Sequence, residues 1–591
     1  MLVPHFWYCE QSVADSPAGK AHAADSANPS DQKATFDQPC RVFRQLMLAP
    51  TGNYRDIHCS WLPSCLSQFS TFSHRLKHLN ILYTKAAFPL DHLAVGKDPM
   101  APALVTRSGS LTYKMLNHRV GILARWLLGQ DFDQGDRIAT WLPKTELACV
   151  MPLAAVRAGL VHVPINPVLK PAQVNHIIAD SGTKLLITNA GRIKSLEDNP
   201  LDSGCVVWND ATVSTDIEDI DDPLDPSDTS ADTETLAAIL YTSGSTGRPK
   251  GVMLSNTNLS LGAISVAQYL NLAQDDRTLC VLPLSFDYGQ NQLLSTWYAG
   301  GCAYPLDYLT PRDVIKACAR DQITTLAAVP PLWVQLVGQH WSEDAAVSMR
   351  RLTNSGGALT PSLVKQLRAI FNEKTDIYAM YGLTEAFRST YLDPSLIDDN
   401  PTSMGTAIPF AEIMVVDPDG GIAAAGEEGE LVHAGPLVAK GYWQDPKRTA
   451  ERFKPAPAAS EYGGLAVWSG DTVRRDDDGL LYFVGRTDNM IKSSGNRISP
   501  TEVEEVAIES GLVAEAVAIG VADDRLGHAI CLYVRPTDVP EAQDTEKELR
   551  KYLKRNLPNF MYPRDIVMLK EFPKNPNGKL DRNALTKNEI S

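Results

Sequence analysis

The sequence predicts an α/β protein. Its large N-terminal part holds two helix-covered, mostly parallel sheets and a small antiparallel β subdomain, and an α+β C-terminal domain follows. Three observations carry this. Short apolar runs alternate with helix-length runs from Pro99 to Thr188, and again from Leu259 to about Tyr391; such alternation implies parallel strands covered by helices. Between Thr406 and Gly485, glycine, proline and short β-rich runs replace that rhythm. After Arg486 the pattern becomes helix, strand, strand, helix, over about 100 residues, the size of a compact domain. A chain of 591 residues also exceeds what one core organises.

Residues 1–85 follow no helical or strand period. They carry Cys9, Cys40, Cys59 and Cys65, scattered aromatics and an Ala/Ser/Asp/Pro-rich stretch from Ser12 to Pro39. They read as a poorly ordered extension, with Met47 a candidate beginning and a docking segment the alternative. A large domain over 86–486 follows, then a small one over 487–591.

Within the large domain Ala103 to Thr106 reads as a strand, and Thr112 can cap a helix running through Trp126 and Leu127. Arg137 to Leu142 is the next strand, Thr145 to Ala158 a helix, and Val161 to Ile165 a strand. Pro171 suits a first helical position before Ala172 to Asp180, and Lys184 to Thr188 is a strand again. Val213 to Glu234 holds nine acidic residues and no Lys or Arg, so it reads as a solvated acidic loop. In the small domain, helices are expected near Thr501–Glu509 and Glu546–Asn556, with strands near Val513–Val521 and Ala529–Val534.

The most chemically specific stretch is Tyr241 to Gly251, YTSGSTGRPKG. The apolar run Leu236–Leu240 before it reads as a buried strand. Ser255-Asn256-Thr257-Asn258 after it offers N-caps for a helix over Leu259–Leu270. A strand, a hydroxyl- and glycine-rich loop and a helix can hold phosphate, because glycine lets backbone N–H groups turn inward and Lys250 adds a point charge. Ordinary turns use the same residues. The loop is not a Walker A motif, since Lys250 is followed by Gly251, and Ser245 does not sit in a hydrolase G-x-S-x-G elbow.

A net charge of −15 argues against nucleic acid or an anionic membrane as main partner. Ten cysteines without a C-x-x-C pair suggest reduced thiols, with neither a disulfide frame nor zinc. No apolar run has membrane-spanning length, and the first basic residue is Lys20, which is unlike a secretory signal. The cytoplasm is the expected location.

Together with four later stretches, YTSGSTGRPKG resembles the adenylate-forming superfamily, which includes acyl-CoA synthetases, luciferases and peptide-synthetase adenylation domains. The resemblance runs from about residue 90 to the C-terminus. It implies that Thr242, Ser243, Gly244, Ser245, Thr246, Gly247 and Lys250 hold the phosphates. In Tyr381-Gly382-Leu383-Thr384-Glu385, it implies that Tyr381 stacks on adenine beside Gly382, Thr384 touches phosphate, and Glu385 holds Mg²⁺. An ionised carboxylate suits such a hard cation. Ser355 with Gly356, Gly357 and Ala358 resembles the nucleotide-lining segment. In Val467-Trp468-Ser469-Gly470-Asp471, where the family has Tyr-x-Thr-Gly-Asp, Asp471 would accept from both ribose hydroxyls.

The longest match is the segment from Gly485 to Pro500. By resemblance it joins the domains, with Asp488 the hinge of a mobile C-terminal domain. Arg486 would contact nucleotide, Arg497 would assist with phosphate, and Lys492 and Gly495 would face the site after rotation. In Pro576-Asn577-Gly578-Lys579-Leu580-Asp581-Arg582, Lys579 matches the catalytic lysine.

The implied activity is that of an AMP-forming acid–thiol ligase. A carboxylic acid and ATP give an acyl-adenylate and pyrophosphate, and the acyl group passes to CoA. The alternatives are transfer to a carrier-protein phosphopantetheine and adenylation alone. One departure bears on the substrate: Leu282 to Gly289 reads LPLSFDYG, lacking the histidine of many acyl-CoA synthetases. Phe286 and Asp287 instead resemble the Phe-Asp of peptide-synthetase adenylation domains, whose aspartate pairs with a substrate α-amino group. A loop aspartate satisfied by backbone N–H groups is the plainer reading. By position, Ala328–Pro331 and Trp333 belong to the acyl pocket wall, while His162, His176 and His433 read as structural.

Overall fold

The computed structural model describes residues 87–591, apart from 170, 198–199, 202–203, 231, 243–248, 372, 487–490, 494–495, 499, 524–526, 538–544, 558–560, 577–578 and 588–591. The expected extension over 1–85, with Met47, therefore lies outside the described residues.

Two sheets build the large domain. The first has six strands in the order Val206–Asn209, Leu185–Thr188, Arg137–Trp141, Val161–Pro164, Leu236–Thr242 and Lys250–Ser255. All its pairings are parallel except the last. The second has a parallel centre running Asp376–Tyr381, Arg351–Asn354, Thr325–Ala328, Arg277–Cys280, Cys302–Pro305 and Pro102–Thr106. The expected helix caps are in place: Thr112 accepts from the Met115 N–H, and Thr145 from the Ala148 N–H. Pro171 opens its helix, Pro171–Ser181.

The expected antiparallel β region is present, with small cores of its own around Leu431 and Val432. Its strands continue the second sheet through Thr390–Tyr391 and Ser403–Ala407, giving one hydrogen-bonded array of fourteen strands. The acidic stretch is not a solvated loop. It forms a helix, Asp210–Asp216, and two short 3-10 turns, because Val213, Ile217 and Leu224 are buried under the acidic residues. Gly121 on the helix Tyr113–Leu128 permits that approach, since a Cβ there would lie 2.5 Å from the Leu224 oxygen. The core begins before the regular pattern that starts at Pro99. Leu90, Leu93 and Ala94 are buried, and Asp91 meets Arg157 in an ion pair whose side chains are both fully buried, Nε to Oδ2 2.8 Å.

The C-terminal part has its own core. Helices Pro500–Glu509 and Thr545–Asn556 cover one face of a five-stranded sheet through Val503, Leu532, Leu549 and Leu553. The other face packs Tyr533, Phe572 and Leu585. The hairpin Ile491–Ser493 with Asn496–Ile498 and the strand Asp565–Met568 complete it, none of them anticipated.

Candidate active site

The segment around the glycine-rich loop is a hairpin. Leu236–Thr242 returns as Lys250–Ser255, with Tyr241 opposite Gly251 and Thr242 opposite Lys250. This corrects the strand–loop–helix expectation: Gly251, Val252, Leu254 and Ser255 are buried in the returning arm, and a Cβ on Gly251 would come within 2.6 Å of Ile239. The helix then starts at Asn256, with Ser255 and Asn258 in a reciprocal cap. The loop residues Ser243, Gly244, Ser245, Thr246 and Gly247 lie outside the described residues. At its foot, the buried Thr242 Oγ1 has no described hydrogen-bond partner.

Lys250 crosses to the second sheet. Its Nζ donates to Glu385 Oε1 at 3.0 Å and to the Tyr442 hydroxyl at 2.6 Å, and that hydroxyl donates to the same Oε1 at 2.6 Å. Burial alone would raise the Glu385 pKa. Lys250, Arg452 and the Tyr442 hydroxyl outweigh it and hold the carboxyl at about 2. Glu385 is thus an ionised, acceptor-only group, and its protein partners share one oxygen. That fits a single carboxylate ligand to magnesium whose other ligands are phosphate oxygens and water.

Glu385 sits in a tight turn after the strand Asp376–Tyr381. At the strand's end the Tyr381 hydroxyl donates to Asp471 Oδ2 at 2.5 Å. Asp471 is buried, and its N–H donates to Ser469 Oγ at 3.0 Å, so serine orients the aspartate in this chain. A Cβ on Gly382 would fall 2.8 Å from the Arg388 Cα, so the turn closes only around glycine.

Lys579 enters from the C-terminal domain. Its N–H donates to Asn575 Oδ1 at 3.0 Å, its carbonyl accepts from the Asn575 N–H at 2.7 Å, and its Nζ lies 4.7 Å from the centre of the Phe286 ring. The stem passes Gly356, where φ is +81° and a Cβ would sit 2.9 Å from Lys579 Cε. Gly357 packs on Pro330, and its carbonyl accepts from Asn354 Nδ2 at 2.8 Å.

Asp287 is buried as the first residue of the helix Asp287–Ala299, and its Oδ1 accepts from the Thr384 hydroxyl at 3.1 Å. The plainer reading, a loop aspartate held by backbone alone, is therefore corrected: a side-chain hydroxyl from the Glu385 turn also holds it. Burial raises its pKa, against the pull of Arg388, Lys579, Thr384 and the Tyr288 N–H.

A cavity of about 450 Å³ lies beside these groups, walled by Leu142, Asn166, Ser285, Val329 and Leu332, with Lys574 of the C-terminal domain at its rim. Trp333, expected in the acyl wall, is buried outside it; Val329, Pro331 and Gln335 line it instead. His162 and His433 are fully buried against Thr140 and Ser389, and burial holds both near pKa 3, as suits neutral structural residues. His176 meets the Pro249 carbonyl.

Asp488 and Gly495 lie outside the described residues, as do the side chains of Arg486, Lys492 and Arg497. Sequence reasoning missed Tyr442, Arg452 and Arg388, none of which falls in a recognised motif.

Comparison with known proteins agrees with this geometry. A family model described as AMP-binding enzyme matches residues 92–443, and one for the AMP-binding enzyme C-terminal domain matches 502–579. The chain is 30% identical over 502 residues to gramicidin S synthase 2 of Brevibacillus brevis, covering 84% of this chain and 11% of that protein. It thus spans about a tenth of the long synthetases it matches first. Novobiocin biosynthesis protein H of Streptomyces niveus is 31% identical, over 82% of this chain and 80% of that protein. Among solved structures, ATP-bound MatB of Rhodopseudomonas palustris superposes with a TM-score of 0.75 at 25% identity, covering 84% of this chain and 98% of that one. Among the described residues no helix is long and apolar enough to cross a membrane.

Proposed function

We propose that this chain, which belongs to the AMP-binding enzyme family and is an ATP-dependent adenylate-forming ligase, is an AMP-forming acid–thiol ligase with CoA as its acceptor. The observation that carries the reading is the seat of Lys579, whose ammonium comes beside Phe286 and against Gly356 in a site also holding Asp287, Thr384 and Glu385.

In the first half-reaction a carboxylate oxygen of the acid attacks the α-phosphorus of ATP. An O–P bond forms, the bond to the bridging oxygen breaks, and pyrophosphate leaves. Both reactants are anions, so fixed positive charge is required. Lys579 supplies it on the acid side and Lys250, with the loop N–H groups, on the phosphate side. Magnesium held by Glu385 would neutralise phosphate charge when bound. Tyr381 and Gly356–Ala358 would flank the adenine, and Asp471 would take the ribose hydroxyls, with Arg486 and Arg497 assisting.

In the second half-reaction the thiol sulfur attacks the acyl carbonyl, the C–O bond to AMP breaks, and AMP leaves. Lys579 occupies space the thiol needs, so the proposed domain 487–591 turns about Asp488 against 86–486. Lys492 and Gly495 then face the site.

A carrier-protein phosphopantetheine is the second reading for the thiol, favoured by the peptide synthetases among the relatives. The free thiols of Cys149, Cys205, Cys280, Cys302 and Cys318 suit a reducing compartment such as the cytoplasm.

The test is pyrophosphate release from a panel of fatty, aromatic, dicarboxylic and amino acids, with CoA or a phosphopantetheinylated carrier added. Lys579→Ala should lower acyl-adenylate formation by several orders of magnitude while thioester formation from supplied acyl-AMP survives. Equal loss in both half-reactions would reject the assignment of Lys579 to adenylation alone.

A further inference from the structure

Arg388 is 2% exposed, and among the described residues its guanidinium has no ion-pair partner and makes no hydrogen bond; its Nε is buried and unsatisfied. Its one close polar contact is stacking, with the guanidinium 4.5 Å from the centre of the Tyr288 ring. Asp287 is the nearby carboxylate that feels its charge, yet that side chain is bonded to Thr384. An isolated buried cation is costly, and stacking recovers only part of the lost hydration.

The backbone does not drift into this arrangement. Phe387, just before Arg388, has φ +60° and ψ −73°, a conformation side chains disfavour. Its ring is wedged against the helix Asn256–Tyr269 at Gly262, where a Cβ would sit 2.5 Å from the Phe387 ring. The wedge turns the chain so that Arg388 points inward.

Arg388 lines a small cavity of about 20 Å³ together with Tyr288, Asn291, Gln292, Thr353 and Met380. Tyr288 follows Asp287 and Met380 precedes Tyr381, so the cavity is lined from the same helix and strand that carry those two site residues, and Asp287 feels the Arg388 charge. Val266, Leu270, Leu272 and Ala327 give it apolar walls, but both amide atoms of Gln292 and Oδ1 of Asn291 are buried there without partners. A space of that size is too small for a hydrocarbon chain.

We propose that Arg388 receives a second carboxylate at the far end of the acid, so that the substrate is a short dicarboxylic acid or an acidic amino acid. One carboxylate is activated, and the other stays anionic against the guanidinium, with Gln292 and Asn291 as further partners. The inference rests on the acid-activation reading above. Plain diacids and acidic amino acids share the far carboxylate and differ at the α-carbon, where Asp287 would answer an ammonium.

The experiment uses the full chain with matched pairs: succinate against butyrate, glutarate against valerate, and aspartate and glutamate against their uncharged amides. Pyrophosphate release should favour the acid with the far carboxylate by about ten- to a hundredfold in kcat/KM, the span of a charge-assisted pair. In Arg388→Met that ratio should fall toward one, and Arg388→Lys should keep part of it. A wild-type enzyme turning over both members of each pair equally would overturn the proposal. So would an Arg388→Met variant that is folded and loses both members in equal proportion. If no acid releases pyrophosphate, the activation reading fails separately. Thermal stabilisation by the diacids, present in wild type and lost in Arg388→Met, would still support the Arg388 site, and its absence would sink it.

Discussion

Arg157 and Arg388 are both almost fully buried, and they are used in opposite ways. Arg157 is bonded at every nitrogen: its Nε donates to Asp91 Oδ2 and its Nη atoms to the carbonyls of Asp91, Asn117 and Leu224. Thr229 donates to the same Asp91 oxygen from the acidic strap, leaving only Asp91 Oδ1 without a partner. That arginine joins the first 3-10 turn, two helices and the strap. Arg388, in contrast, is stacked on one ring and bonded to nothing described. A charge buried to hold a fold brings its partners from the same chain. A charge buried with its hydrogen-bonding capacity unspent is waiting for a partner that the chain does not encode.

The comparison can be broken at either end. Removing Asp91 as Asp91→Ala leaves Arg157 charged and uncompensated, and should cost about 3–5 kcal/mol in unfolding free energy. Denaturant titration showing less than about 1 kcal/mol would mean that Arg157 is not held by its partner. Gly262→Ala drives a methyl into the Phe387 ring and should cost about 1–3 kcal/mol by overpacking. It should also lower turnover more than its stability loss explains, because the Phe387 wedge aims Arg388; normal kinetics in that variant would uncouple the two. The smallest effect is expected from Arg388→Met. Losing an unpaired buried charge should leave the melting temperature unchanged or raise it, by differential scanning calorimetry. A large destabilisation would place Arg388 alongside Arg157 as a structural residue.

Much of the fold was legible because its signals are local. Thr112, Thr145 and Pro171 each announce a helix start within a few residues, and the alternation of strands and helices needs no distant information. The contiguous motifs around Tyr381, Asp471 and Lys579 were legible for the same reason. What failed was non-local or masked by composition. Lys250 and Gly251 were read as the end of a loop, although the partner strand makes them the start of a hairpin arm. Val213, Ile217 and Leu224 are apolar residues diluted among nine acids, so charge hid the buried stripe. Tyr442 meets Lys250 across 192 positions, a separation no spacing rule spans. Arg388 looks like any surface arginine in the run Phe387-Arg388-Ser389; only the Phe387 backbone turns it inward.

The rung that pairs Asp471 with Arg486 is the last described before the chain leaves for the C-terminal domain. The strand Leu481–Arg486 is bonded antiparallel on both sides, to Leu465–Arg475 and to Ser403–Ala407. Its bonds run perpendicular to the strand, so a pull along the strand loads them differently from a pull across it. Tension along the strand is shared by every rung and meets a stiff support. Tension across it opens the ladder one rung at a time, starting beside Asp471. If the C-terminal domain turns as proposed, the first rung to feel a sideways pull at Arg486 would be the one at Asp471, the aspartate that Tyr381 holds.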